Sequence, residues 1–410
     1  MYRKYFSLSI AVLLFLTPVF LNAADFGFVL SQYAAKENQE GDFLDGFEYR
    51  ADLLPRLSFL VGERSEFFLS AGLTLGIKER GFIIIPELLR TEFSYRIGSW
   101  GINAGRIQYA DPLGCITTGL FDGVRFTYRT KGGIFGAGLW YTGLLYKKNA
   151  NITMNEGEMA HFNDPVEYDS FFDTYFAPSH LLASLDWEHP SVGEWLRLKA
   201  AITGQVDLSD NGEKYHSQYL TVKAVVPVKS FVFELGGSFE VAEIKPAVND
   251  EDFSIAFAVD FGIFWTLPTA FHSRLSLTGR YSSGQTDGTI GAFVPVTNKF
   301  YGNILKARLP GISIFTLDYT ARINQSLGTS LNISYFVRND LGTYMAYPVN
   351  IKDNTGYFLG PELFAWLVWS PVSDIHINLG GGAFLPSGGN AGQDENLRWH
   401  VEISAILALF

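Results

Sequence analysis

A single cysteine, Cys115, in 410 residues excludes an intrachain disulfide framework and any paired-cysteine metal or redox motif. Beyond the first two dozen residues no apolar run approaches the ~18 residues that a membrane-crossing helix needs. Catalytic signatures are missing too: there is no Gly-x-Ser-x-Gly, no His-Glu-x-x-His and no phosphate-binding P-loop. The Gly-rich stretch 132–138 runs from a turn into an alternating pattern rather than into a helix, so it is no phosphate cradle. Net positive charge is also lacking. A formal charge of −11 and a pI near 5.2 speak against nucleic acid as a partner. Neither an enzyme nor a cofactor or metal centre is expected, Ser179, His180 and Asp186 being the only tempting catalytic set.

What is abundant is aromatic surface: 35 Phe, 20 Tyr and 8 Trp, 15% of the chain, at a mean hydropathy of only +0.10. The apolar residues alternate. Phe253, Ile255, Phe257, Val259, Phe261, Ile263, Trp265 and Leu267 hold one phase, with Ser254, Ala256, Ala258, Asp260, Gly262 and Thr266 on the other. Period two over such a length is a strand with one apolar face, and about 9–11 tilted residues cross a bilayer as β-structure. Arg3 and Lys4, the apolar stretch Ser7–Leu21 and the small residues Asn22-Ala23-Ala24 have the form of an export leader. The expected organisation is a signal peptide over 1–24 and one unit over 25–410. That unit is an all-β, single antiparallel transmembrane β-barrel of about 18 strands (16–18), embedded in outer-membrane lipid.

Short breaks at 61–65, 98–100, 130–133, 190–194, 227–230, 268–273, 324–329 and 370–374 alternate with mostly longer, more polar connections. Tight periplasmic turns and long external loops have that asymmetry. Trp100, Trp187, Trp195, Trp265 and Trp369 fall near the short breaks, where an indole is favoured at headgroup level.

With apolar phases facing lipid, the opposite phase lines the lumen. It carries Arg50, Arg90, Arg96, Arg125, Arg129, Arg197, Lys199, Arg274, Arg280, Arg322 and Arg338 as solute-path candidates. Acids share the phase at Asp186, Glu188, Glu234, Glu240, Asp260, Glu362 and Glu402. Guanidinium groups offer a planar fork to carboxylate or phosphate. The alternative is that these cations pair across strands with the inward acids.

Gly105-Arg106-Ile107 followed by Phe121-Asp122-Gly123-Val124-Arg125, with Gly360-Pro361-Glu362-Leu363 and Gly382-Ala383-Phe384-Leu385-Pro386 near the end, resembles the alginate-export type of outer-membrane porin. The resemblance implies an 18-stranded barrel with an Arg-rich conduit. Phe410, closing an amphipathic final strand, resembles the C-terminal signal by which such barrels meet their assembly machinery.

Two long connections stand out. Residues 146–179 interleave Glu156, Glu158, Asp164, Glu167, Asp169 and Asp173 with Phe and Tyr; 283–301 is the second. The longer suits an external loop, a pore constriction, sugar stacking or Ca²⁺ ligation, although EF-hand spacing is absent. The expected function is a porin-like channel for small or extended hydrophilic solutes, anionic saccharides among them. A transporter of hydrophobic solutes, using Phe68, Trp140, Phe264, Phe336, Phe358 and Trp366, and a surface adhesin or structural barrel are the alternatives.

Overall fold

The computed structural model describes residues 24–38, 46–78, 81–209, 214–245, 252–286, 290–341, 356–390 and 396–409. The leader expected over 1–24 lies outside these residues except for Ala24, and Phe410 lies outside them altogether. Eighteen antiparallel strands form one sheet. They are β1 (Ala24–Glu37), β2 (Phe47–Leu60), β3 (Ser65–Lys78), β4 (Gly81–Ile97), β5 (Trp100–Ala110), β6 (Thr118–Thr130), β7 (Gly133–Tyr141), β8 (His180–Val192) and β9 (Leu196–Asp207). The second half comprises β10 (Lys214–Val228), β11 (Phe231–Lys245), β12 (Asp252–Thr266), β13 (Arg274–Ser282), β14 (Ile312–Arg322), β15 (Leu327–Arg338), β16 (Phe358–Val372), β17 (Ile375–Phe384) and β18 (Arg398–Leu409). Each strand pairs with its sequence neighbours, and β1 pairs with β18 from Phe28↔Leu409 to Glu37↔His400, closing the barrel.

Residues directly opposite one another on paired strands share a face of the sheet. One such row runs Ile102, Phe126, Ala137, Leu185, Ile202, Leu220, Phe239 and Phe257. Six of the eight are large, apolar and exposed, which is a surface for lipid, not water. The neighbouring row runs Asn103, Arg125, Gly138, Ser184, Thr203, Tyr219 and Glu240, polar or small throughout. Adjacent rows of opposite character are what a bilayer outside and a polar lumen inside dictate. All the short breaks read from the sequence join even to odd strands and so lie at one end of the barrel. At that end Trp100 stacks on Tyr128 at 4.3 Å and Trp265 on Phe231 at 5.5 Å, the aromatic girdle of a membrane interface.

No helix among the described residues is long and apolar enough to cross a membrane. Two α-helices lie among the described residues, α1 (Glu156–Asn163) and α2 (Phe171–Tyr175), both in the β7–β8 connection. Buried apolar residues gather inside the barrel rather than between sheets. Tyr109, Phe121, Trp140, Leu182 and Tyr219 of the wall pack on Leu113, Cys115, Ile116, Phe293 and Val296 of two connections. That core exists because loops fold into the lumen.

Candidate functional site

Three connections turn into the interior: 111–117 after β5, 142–179 after β7 and, over its described residues 283–286 and 290–311, the one after β13. Buried carboxylates hold two of them. Asp111 curls the first by accepting from the backbone N–H groups of Leu113, Gly114, Cys115, Ile116 and Thr117. For the third, Glu240 of β11 accepts from Val294 N at 2.8 Å and from the hydroxyls of Tyr215 and Tyr219. Farther along, Glu362 of β16 accepts from Asn303, Ile304 and Leu305 N at 2.6, 3.1 and 2.9 Å. Gly302 precedes that nest at φ 78°, and a Cβ there would stand 2.7 Å from the Phe336 ring and 2.8 Å from Glu362. A positive φ without a side chain is what lets the chain approach.

Arg106 positions the second connection. Buried at 4% exposure, it forms a two-pronged pair with Asp122, Nε–Oδ1 3.0 Å and Nη2–Oδ2 2.8 Å, and donates to the carbonyls of Leu144 and Leu88. Tyr168 and Tyr175 carry the same connection across to β4, donating to Ile84 O and Pro86 O. The connections also bond to one another. Thr153 N donates to Val296 O at 2.9 Å, Thr297 N to Ile116 O at 2.9 Å and Asn298 N to Asn151 O at 2.6 Å. Together they form one hydrogen-bonded assembly of in-folded connections. The inward course of 111–117 had no sequence signal beyond Asp111-Pro112, an ordinary turn opening.

The eleven basic candidates separate into groups. Arg50, Arg90, Arg125, Lys199 and Arg280 pair with Asp52, Glu92, Asp186, Glu188 and Asp260, so their charge is largely balanced in place. Arg50 and Arg90 keep about half of each side chain in solvent and lie over the Tyr33 and Phe68 rings. Arg338 is 1% exposed, its Nε donating to Gly356 O at 2.6 Å. It packs at the external end of β15 and does not face lumen water, which corrects its place among the solute-path candidates. The remaining five, Arg96, Arg129, Arg197, Arg274 and Arg322, are exposed and have no carboxylate partner among the described residues. Each lies within two residues of the end of its strand at the short-turn rim. The acids of that rim without a cation partner among the described residues are Asp25, Glu63, Glu66, Glu194 and Asp374.

The inward aromatics do not form an apolar conduit. Trp140 and Phe336 are covered by the in-folded connections, and Phe264 lies under Arg274 at 4.4 Å. Phe358 is exposed on the outer face, because a register shift between Phe336 and Val337 reverses the alternation there. Nor does the tempting catalytic set assemble: Asp186 binds Arg125, Ser179 Oγ meets Tyr141 Oη at 2.9 Å, and His180 points to Glu158.

No protein-family model matches the chain, and no curated protein matches it, so the alginate-export resemblance gains no support from either comparison. Solved structures do match over almost the whole length. The Pseudomonas aeruginosa OccK2 (OpdF) barrel in complex with glucuronate aligns at 11% identity, covering 94% of this chain and 97% of that one, with TM-score 0.61. OccK11 (OpdR) aligns at 11% identity, 94% and 96% coverage and TM-score 0.59. The outer-membrane protein OprD aligns at 12%, 95% and 94%, and 0.57. A closed 18-stranded barrel with a lipid-facing exterior is thus the fold this chain shares with outer-membrane porins.

Proposed function

We propose that the protein is an outer-membrane channel for hydrophilic solutes, narrowed by its three in-folded connections and favouring anions at its periplasmic mouth. The observation that carries the reading is a polar lumen row meeting connections hydrogen-bonded to one another inside the barrel. A wall built only for adhesion needs no such interior. The anion preference rests on Arg96, Arg129, Arg197, Arg274 and Arg322, whose charge no carboxylate neutralises in contact. A ring of fixed cations focuses the field across the mouth. Carboxylate-bearing saccharides suit a guanidinium ring, and the similar OccK2 barrel is described in complex with glucuronate. The short alginate-export resemblance points to the same solute class.

Reconstitution in planar bilayers tests this. A unit charge ~8 Å from a permeating ion is worth about 0.5 kcal/mol in water, roughly a twofold change in preference per charge. Stable open steps with an anion-favouring reversal potential in a salt gradient are expected, and replacing Arg129 and Arg197 together by Gln lowers the anion-to-cation ratio about fourfold. Cation selectivity of the unmodified protein ends the anion proposal, and a barrel without open steps ends the channel proposal.

A further inference from the structure

The connection 142–179 is fastened to the wall by a group that the channel reading does not use. Glu158 of α1, His180 at the start of β8 and Asp207 at the end of β9 are each at most 2% exposed. His180 Nε2 stands 3.0 Å from Glu158 Oε1 and 3.8 Å from Asp207 Oδ1, and the three ligand atoms lie within 4.8 Å of one another. Two carboxylates thus share a buried space with the His180 imidazole, while a second imidazole, His216, accepts from Asp207 N at 3.2 Å through Nδ1. Among the described residues no arginine or lysine contacts either one. Lys147, buried on the same connection, donates instead to His161 O at 2.8 Å.

A second observation comes from Gln205. Its amide faces Nδ1 of His180 at 3.1 Å, yet its Oε1 is buried and has no hydrogen-bond partner. Rotating the amide by half a turn brings Oε1 onto Nδ1 as an acceptor and places the imidazole proton there. The Nε2 lone pair then faces both carboxylates. A metal-binding imidazole is held in this way, its other ring nitrogen donating to a carbonyl.

The remaining geometry fits the same occupant. Ligands ~2.0–2.2 Å from a tetrahedral ion stand about 3.4 Å from one another, a spacing bracketed by the 3.0 and 3.8 Å observed. The carboxylates are pre-oriented: Asn155 N donates to Glu158 Oε2, Ser209 N and Oγ donate to Asp207 Oδ1, and Tyr215 N donates to Asp207 Oδ2. A cavity of ≈ 480 Å³, lined by His161, Asp173 and Ser209, reaches Glu158, the one ligand of the three on its wall.

We propose that Glu158, His180 and Asp207 bind one divalent cation of the zinc type, which locks α1 of the constricting connection to the external ends of β8 and β9. One nitrogen and two oxygen ligands favour Zn²⁺ or Co²⁺ over Mg²⁺ or Ca²⁺, which take oxygen ligands alone. A water completes the fourth position.

The test uses the full-length, refolded, chelator-treated protein in detergent at neutral pH. Zn²⁺ is titrated calorimetrically and Co²⁺ by its visible absorption. One equivalent per chain is expected, in the micromolar range or tighter, with the intense d–d bands of a four-coordinate site. Glu158→Gln, on a connection outside the strands, keeps the barrel intact by its heat-modifiable gel mobility and weakens binding at least a hundredfold. Gln205→Leu weakens it about 10–100-fold by removing the outer partner of the imidazole. Failure of the unmodified protein to bind either ion stoichiometrically overturns the proposal. Equal affinity in Glu158→Gln overturns it as well.

Discussion

Removing the Glu362 carboxylate releases one end of the constriction while leaving the barrel standing. Glu362 is fully buried and accepts three backbone N–H groups from 303–305. Hydrogen bonds to a charged group contribute about 1.5–3 kcal/mol each, and those sharing one acceptor group are not additive. Glu362→Ala therefore costs the docked connection roughly 4 kcal/mol. That is about a thousandfold in its docked-to-undocked ratio, with three donors left inside without a partner. The wall pays little, because β16 stays paired along β15 and β17. Leu305 and Ala307 lose their seat against Phe336 and Phe384. Single-channel recording reads the result as higher conductance with added open-state noise, and limited proteolysis reads it as new cleavage near 303–305. Glu362→Gln, keeping one acceptor oxygen, falls between. Unchanged conductance and unchanged protease resistance in Glu362→Ala would refute the idea that this carboxylate holds the constriction.

Cys115 sits in the first in-folded connection, 1% exposed, and burial pushes its thiol up to about 12. The neutral thiol is thus the native form across ordinary pH, and since only the thiolate attacks, maleimide labelling at pH 8 should be negligible until denaturant is added. The shift also favours docking less as pH rises from ~9 toward 12, where an undocked thiol ionises first, so labelling should emerge over that window; ready labelling at pH 7 would place the connection outside the core. Gly123→Val should prevent barrel assembly rather than alter conductance, because a Cβ at Gly123 collides with the Leu139 carbonyl and the Trp140 ring. A heat-modifiable band at normal yield would contradict this.

The wall was legible because lipid imposes a strict rule on every strand: alternate residues must be apolar or the strand does not partition. The eight short breaks accordingly fall between paired strands, and the 253–267 pattern becomes β12. The lumen obeys no comparable rule. Inward Glu240 and Glu362 were evident from phase, yet nothing local says that they hold 294 and 303–305, because those partners lie about 55–60 residues away along the chain. Arg106 could not be oriented from a strand of mixed residues; its direct cross-strand partner is Asp122, and the Gly-Arg and Phe-Asp-Gly motifs meet in that ion pair. Phe358 reads as inward until the register shift at Val337 is known. The five acid-free arginines needed the whole wall, since being unpaired is a statement about every neighbour at once.

Closure by β1 against β18 sets the order in which the molecule can come into being. Val29 pairs with Ala408 and Tyr33 with Ser404, partners separated by more than 370 residues, so the seam is the contact of highest loop-closure entropy in the wall. Until the last strand arrives, every intermediate sheet has two unsatisfied edges, each a template for another chain. Hairpin can add to hairpin as the chain arrives, but the product becomes inert only in one terminal step. A cell making this protein must therefore shield an open, adhesive ribbon for the whole interval between delivery of its first strand and its eighteenth.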